Sequence, residues 1–184
     1  LKYFHKLNPN WQLFGVEPNK ILRQFANKNI GFKVYDGTLD NLPFPDNYFD
    51  VITCYDVLEH SNKLIQNLSE IKRVLKQDGI LLVQAPNYQS IMALLTGKKW
   101  DWWGVPDHVV HFSYITLNKI LEINGFNVLY GFTYEDQDDY LVNLKGVFSK
   151  TRFFKLIYYA FIPFFLIIER FGWLLNMGGL SVIF

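Results

Sequence analysis

The period of the apolar positions changes several times along the chain. Leu1, Phe4 and Leu7 recur at helical spacing and Asn8-Pro9-Asn10 ends them, so the sequence opens on the end of a helix. Residues 11–16 read as a short buried strand that stops at Glu17-Pro18-Asn19. Residues 20–27 are helical, with Ile21, Leu22 and Phe25 on one face, and 32–35 form a second strand closed by Asp36-Gly37. Residues 48–55 carry the strongest strand pattern. Phe49, Val51, Ile52 and Cys54 make a near-continuous apolar run, which predicts burial on both faces, as in parallel sheets.

A helix over 63–76 follows, with Ile65, Leu68, Ile71, Val74 and Leu75 at helical spacing and Gly79 as its C-terminal cap. Residues 80–83 are a further buried strand stopped by Ala85-Pro86-Asn87, and a loop-and-helix region carries Trp100, Trp102 and Trp103. A helix over 116–124 ends at Gly125, and 126–132 is strand-like. Strands alternating with helices predict an α/β fold: a Rossmann-like, mainly parallel sheet with helices on both faces. We read residues 1–149 as that domain and 150–184 as a hydrophobic helical segment and final strand of the same domain. No repeat and no low-complexity segment interrupts it.

Composition narrows the function classes. With 184 residues the chain is long enough for one domain with a real core. Half of the residues are apolar and 19% are charged, which excludes an intrinsically disordered chain. A net charge of +1 gives no general attraction to nucleic acid, and none is expected as a partner. The single cysteine, Cys54, excludes an intramolecular disulfide framework and a cysteine-rich zinc site, and it fits a reducing, cytoplasmic setting. Residues 156–168 are uncharged and interrupted only by Pro163, too short for a membrane span of about 20 apolar residues. Three readings stay open for this tail: a helix packed over the domain, an oligomer contact, or an interfacial helix making peripheral membrane contact through 153–175. Leu1 in place of Met, together with the opening in mid-helix, reads as a start inside a longer gene product.

In open α/β sheets ligands bind beyond the carboxyl ends of the strands, so candidate chemistry is sought there. Glu17, in Gly15-Val16-Glu17-Pro18, is able to accept hydrogen bonds from both hydroxyls of a ribose; an acidic residue favoured by a helix dipole is the plainer alternative. The second strand end, Asp36-Gly37-Thr38-Leu39-Asp40, offers backbone amides and a hydroxyl that suit an adenine edge, or is an ordinary turn. At the third, Asp56, Glu59 and His60 fall on one face if a helical turn begins at Asp56. Such a set suits a divalent cation, acid–base work, or simple helix-start electrostatics.

The run Phe49-Asp50-Val51-Ile52-Thr53-Cys54-Tyr55-Asp56-Val57-Leu58-Glu59-His60 resembles the fourth-strand motif of class I S-adenosylmethionine-dependent methyltransferases. Gly15-Val16-Glu17-Pro18 resembles the family's second-strand acidic motif, and Leu42-Pro43-Phe44-Pro45-Asp46 precedes the fourth strand as it does there. The stretch Ile71-Lys72-Arg73-Val74-Leu75-Lys76-Gln77-Asp78-Gly79 is similar to the helix and turn before the family's fifth strand. Pro106-Asp107-His108-Val109-Val110-His111-Phe112-Ser113 and Asn124-Gly125-Phe126 resemble a small-molecule branch that includes the ubiquinone-biosynthesis type. These ordered motifs span residues 11–128.

The resemblance implies S-adenosylmethionine as cofactor, with Glu17 on the ribose hydroxyls and Pro18 and Asn19 lining the adenine. Thr38 and Leu39 then approach the adenine edge; family members often carry an acid where Thr38 stands. Cys54 and Tyr55 meet the methionine part, largely through backbone. Asp56, Glu59 and His60 resemble a metal-binding Glu-x-x-Glu-His set with one acid shortened, and no metal is assigned to them. His108 is the candidate base, with His111 beside it. The three tryptophans suit either an apolar acceptor pocket or a packed lid. The family's first strand and glycine-rich loop precede the helix that ends near Leu7 and are not in this sequence; we read the chain as a fragment of an active enzyme rather than one that has lost cofactor binding. The expected function is methyl transfer to a small-molecule or lipid-like acceptor. The alternatives are a non-catalytic methyltransferase-like scaffold and a nicotinamide-dependent Rossmann oxidoreductase.

Overall fold

A computed structural model of the chain describes residues 2–134 and 180–183. The apolar segment 156–168, and with it the proposed membrane contact through 153–175, lies outside the described residues. The described residues form two compact units: Leu1–Asp50 with Ile65–Asp78, and Val51–Leu64 with the described residues from Gly79 onward.

In the first unit, α1 (Lys2–Leu7) leads to β1 (Phe14–Val16), α2 (Lys20–Ile30) and β2 (Lys33–Tyr35). β1 and β2 are parallel, with Val16 opposite Tyr35. Two parallel strands need a crossover, and α2 supplies it. Asn19 starts α2 by accepting from the amides of Ile21 and Leu22, at 2.9 and 3.1 Å. Gly31, at φ +81°, closes the helix in the left-handed conformation that suits glycine. The face of α2 carrying Ile21, Leu22 and Phe25 is exposed. Asn27 instead ties the helix to the strand, donating to the Val34 carbonyl and accepting from its amide.

Helix α3 (Leu64–Val74) buries Leu68, Ile71 and Val74, while Ile65 stays exposed. Its end differs from the sequence expectation. Gly79 is not a cap, because the backbone passes straight into β4 (Leu75–Pro86). The last carbonyls of the helix, on Arg73 and Val74, accept instead from the amides of Asn47 and Tyr48, at 2.9 and 2.8 Å. With those orphan acceptors satisfied, no glycine turn is required.

The second unit contains a four-stranded sheet in the order β3 (Phe49–Tyr55), β4, β6 (Leu180–Ile183) and β5 (Gly131–Tyr134). β6 runs antiparallel to both β4 and β5. On β4, Leu81, Val83 and Ala85 are buried and alternate with half-buried Leu82 and Gln84, the period-2 pattern of a sheet face. β3 does not meet the expectation of burial on both faces: Cys54 alone of its seven residues is buried and Val51 is 48% exposed. Its place at the end of the strand order explains the difference, since an edge strand is covered less than a central one. Helices α4 (Ile91–Thr96) and α5 (Tyr114–Ile123) add Met92, Ala93, Leu117 and Leu121 to the buried set. A Ser113/Thr116 capping box starts α5. The architecture is a Rossmann-like α/β fold.

Candidate functional site

The candidate residues of the first unit gather at the carboxyl ends of β1 and β2. The Glu17 amide donates to the Tyr35 carbonyl at 3.0 Å, so the parallel ladder continues to the strand tip. Glu17 is half-buried, and its Oε1 accepts from the Asn19 amide at 2.8 Å. Among the described residues Oε2 has no protein partner. Arg23, one turn into α2, clamps the tip: its Nη1 donates to the carbonyls of Glu17 and Pro18 and pairs with Asp36 at 2.9 Å. An arginine early in the helix after an acidic strand end was the signal for this clamp, and the sequence reading passed over it.

Gly37 lies close against β1. A Cβ there would stand 3.2 Å from Val16 Cγ1 and 3.0 Å from Pro43 Cδ, so the chain can approach this closely only without a side chain. Thr38 is exposed and its hydroxyl donates to Asp40 at 2.5 Å, while Leu39 is half-buried. Asn19 and Pro18 are exposed, but the Asn19 side chain is committed to capping α2. The adjoining 42–46 loop is pinned to α3 by Arg73, which donates to both oxygens of Glu70, to Asp46 and to the carbonyls of Leu42 and Phe44. The Arg73 hydrogen bonds hold the Glu70 carboxyl below its usual range, against a smaller opposing effect of burial.

Cys54, Tyr55 and His108 belong to the second unit. Cys54 is 2% exposed, and burial pushes its thiol up to about 12, so it is neutral and inert as a nucleophile. Tyr55 is exposed. Asp56 follows at φ +52°, a strained conformation for a non-glycine residue. Its amide donates to the Gln84 carbonyl, its carboxylate accepts from Gln84 Nε2 at 3.2 Å, and Tyr134 donates to Gln84 Oε1 at 2.9 Å.

The predicted helical face of Asp56, Glu59 and His60 does not form. Asp56 lies outside a 3-10 turn that covers only Leu58–His60. A different constellation forms in its place. The Glu59 carbonyl accepts from the amides of Val109 and Val110, at 2.9 and 3.0 Å, which draws the 106–113 loop onto the turn. The His60 and His108 rings then meet edge to face at 4.7 Å. One side-chain donor atom each from Glu59, His60 and His108 lie within 4.8 Å of one another. Glu59 is 1% exposed, and among the described residues neither carboxylate oxygen has a hydrogen-bond partner of good geometry. Burial raises its pKa to about 7, offset in part by its own backbone amide and by His60 and reinforced by the charge of Asp56. Burial also raises Asp56, against Gln84, His108 and His60.

Backbone fixes the ring tautomers. His108 Nδ1 donates to the Trp102 carbonyl and His60 Nδ1 to the Asp107 carbonyl, both at 2.9 Å. A carbonyl only accepts, so in each neutral ring Nε2 is left as the basic nitrogen. His111 is held the other way, with Nε2 on the Trp103 carbonyl. The tryptophans thus act through their peptide carbonyls as histidine holders, which no side-chain pattern in the sequence announces. Trp100 is buried, and Trp103 Nε1 donates to the Gly97 carbonyl.

The chain is similar in sequence and fold to known methyltransferases. Residues 1–83 match the family model described as a methyltransferase domain. The uncharacterized methyltransferase YcgJ of Bacillus subtilis is 43% identical over 80 residues, covering 39% of this chain and 31% of that protein. The uncharacterized methyltransferase C1B3.06c of Schizosaccharomyces pombe is 33% identical over 90 residues, or 41% and 32% of the two chains. The chain spans about a third of the length of these curated relatives. Among solved structures, a SAM-dependent methyltransferase from Archaeoglobus fulgidus aligns over 98% of this chain and 79% of its own, with a TM-score of 0.63 at 19% identity, a likeness of fold. Residues 1–83 are thus similar in sequence to a methyltransferase domain, and the chain shares the fold of a solved SAM-dependent methyltransferase.

Proposed function

We propose that the protein binds S-adenosylmethionine and methylates a small-molecule or lipid-like acceptor, with Glu17 on the cofactor's ribose and His108 as the base. The observation that carries this reading is the tip of β1: a half-buried carboxylate with one oxygen fixed by the Asn19 amide and the other unengaged, beside the close-packed Gly37 turn. That donor set fits a vicinal diol. Pro18 and Leu39 supply apolar contacts for an adenine. The side chains of Asn19 and Thr38 are committed to capping α2 and to Asp40, and the Asn19 amide and carbonyl to Glu17 and Arg23, so these residues shape the pocket rather than read its polar edge. Tyr55 and Cys54 contribute backbone at the end of β3, and Asp56 follows at the strained corner.

The cofactor supplies an electrophilic methyl group, so the protein's own task is alignment and removal of the acceptor's proton. His108 Nε2 carries a lone pair in the tautomer set by Trp102 and is the group that takes that proton. Trp102, whose ring stacks on His108 with centroids 6.3 Å apart, offers an apolar wall for the acceptor.

The test is calorimetric titration of the full natural polypeptide carrying this sequence with S-adenosylhomocysteine and, separately, NAD. S-adenosylhomocysteine binds, and Glu17→Ala weakens it at least about 10-fold, the loss expected from a single charge-assisted hydrogen bond of about 1.5 kcal/mol. Tighter binding of NAD, or an unchanged dissociation constant in the variant, overturns the assignment.

A further inference from the structure

Glu59 stands out among the buried groups of the second unit. A carboxyl group that is 1% exposed normally has hydrogen-bond partners, yet among the described residues neither oxygen makes a hydrogen bond of good geometry, its own backbone amide being the nearest donor to act on it. It is not isolated from charge, however. Its donor atom shares a 4.8 Å neighbourhood with one nitrogen each of His60 and His108, and Asp56 acts on Glu59 and on both histidines. Asp56 is itself braced by Gln84 and, through it, by Tyr134. His60 is anchored by the Asp107 carbonyl and His108 by the Trp102 carbonyl. Two carboxyls and two imidazoles therefore lie close together, and the carboxyls feel the charge of their neighbours.

We propose that Glu59 is the positioning residue of a proton-sharing cluster with Asp56, His60 and His108, supplying the negative charge that balances the imidazolium formed when His108 takes the acceptor's proton. In that step the acceptor's O–H or N–H bond breaks, and its electron pair stays on the acceptor atom for the new bond to carbon. The proton adds to the lone pair of the ring. The cluster goes from a neutral ring to a cation beside the Glu59 carboxylate, and little net charge is left uncompensated in a half-buried site. Glu59 acts through the histidines, because it is too buried to touch an acceptor itself. The use assigned to the cluster rests on the methyltransferase reading; its existence does not. A carboxyl held up to about 7 also titrates where a base of this kind must work.

The test needs neither cofactor nor acceptor. The side-chain carboxyl carbons of glutamate in the 184-residue chain are labelled with carbon-13 and followed by NMR against pH, the Glu59 signal being the one missing from Glu59→Gln. It titrates near pH 7, well above the ordinary glutamate value of about 4.3. Its midpoint rises by roughly half a unit or more in His108→Gln and in His60→Gln, and falls in Asp56→Asn. A Glu59 midpoint in the ordinary range, or one unmoved by His108→Gln, overturns the proposal. So does abolition of the titration by one equivalent of Zn2+, which makes the side chains ligands instead. Failure of S-adenosylhomocysteine to bind would sink the functional reading and leave this result standing.

Discussion

Gly104 shows how closely the histidine site is built at the level of single residues. Its φ is +54°, and a Cβ added there would stand 2.5 Å from His108 Cγ and 2.6 Å from Nδ1. Gly104→Ala therefore breaks the His108–Trp102 bond and costs about 1–2 kcal/mol for the left-handed backbone alone. Loss of the His108 Nδ1–H resonance and a lower denaturant midpoint are the expected signs. Asn19→Ala removes the cap of α2 and lowers stability by about 1 kcal/mol, read in the same way. Glu59 makes a pH prediction of opposite sign to most carboxylates. Its folded pKa of about 7 lies above the ordinary 4.5, so the folded state holds the proton more tightly across that window. Stability then falls as pH rises from 4.5 to about 7 and is level above. Glu59→Gln removes that slope in urea melts; an unchanged slope refutes it. The places of Glu17 at a strand tip and of His108 in a loop were legible in the sequence, because strand ends and loop histidines can be located by pattern. The isolation of Glu59 was not, since it depends on which backbone amides pull the 106–113 loop onto its turn.

At the scale of elements, what the sequence predicted well was whatever local chemistry decides. The 63–76 and 116–124 helices became α3 and α5 because of their apolar spacing, which in α5 a capping box at Ser113 and Thr116 reinforces. What it missed was decided by distant partners. β1 shrank to Phe14–Val16, with Trp11 half exposed, since β2 offers only three residues to pair with. The end of α3 is fixed by Asn47 and Tyr48, 26 residues upstream of their acceptors, which no Gln-Asp-Gly pattern can report. In α5, Leu117 is fully buried and Ile115 is 69% exposed. Leu117→Ala should cost about 2–5 kcal/mol, whereas Ile115→Ala should stay within about 0.5 kcal/mol. Glu70 on α3 supplies an ordinary acid limb. Its lowered pKa contributes stability above the usual glutamate range, lost as pH falls through the folded value. Glu70→Gln flattens this limb in acid unfolding, the reverse of the Glu59 effect.

At the scale of the molecule, the ordered motifs carried more weight than any one of them, and the sequence match over residues 1–83 and the fold agree with that order. The orientation of His108 and His111 is less legible, because it depends on loop backbone such as the turn at Asp101–Trp103. Among the described residues no helix is long and apolar enough to cross a membrane. If the uncharged 156–168 segment serves a lipid-like acceptor, the chain co-sediments with anionic liposomes and a form truncated at residue 152 does not; equal partitioning of the two rejects that role.

The grip of peptide carbonyls on the imidazoles has an evolutionary corollary. Because the main chain of the Asp101–Trp103 turn sets which nitrogen is basic, the indoles themselves are released from that duty. Substitutions at 102 can change the wall beside the His108 ring, wider or narrower, while the backbone bond that orients that ring stays in place.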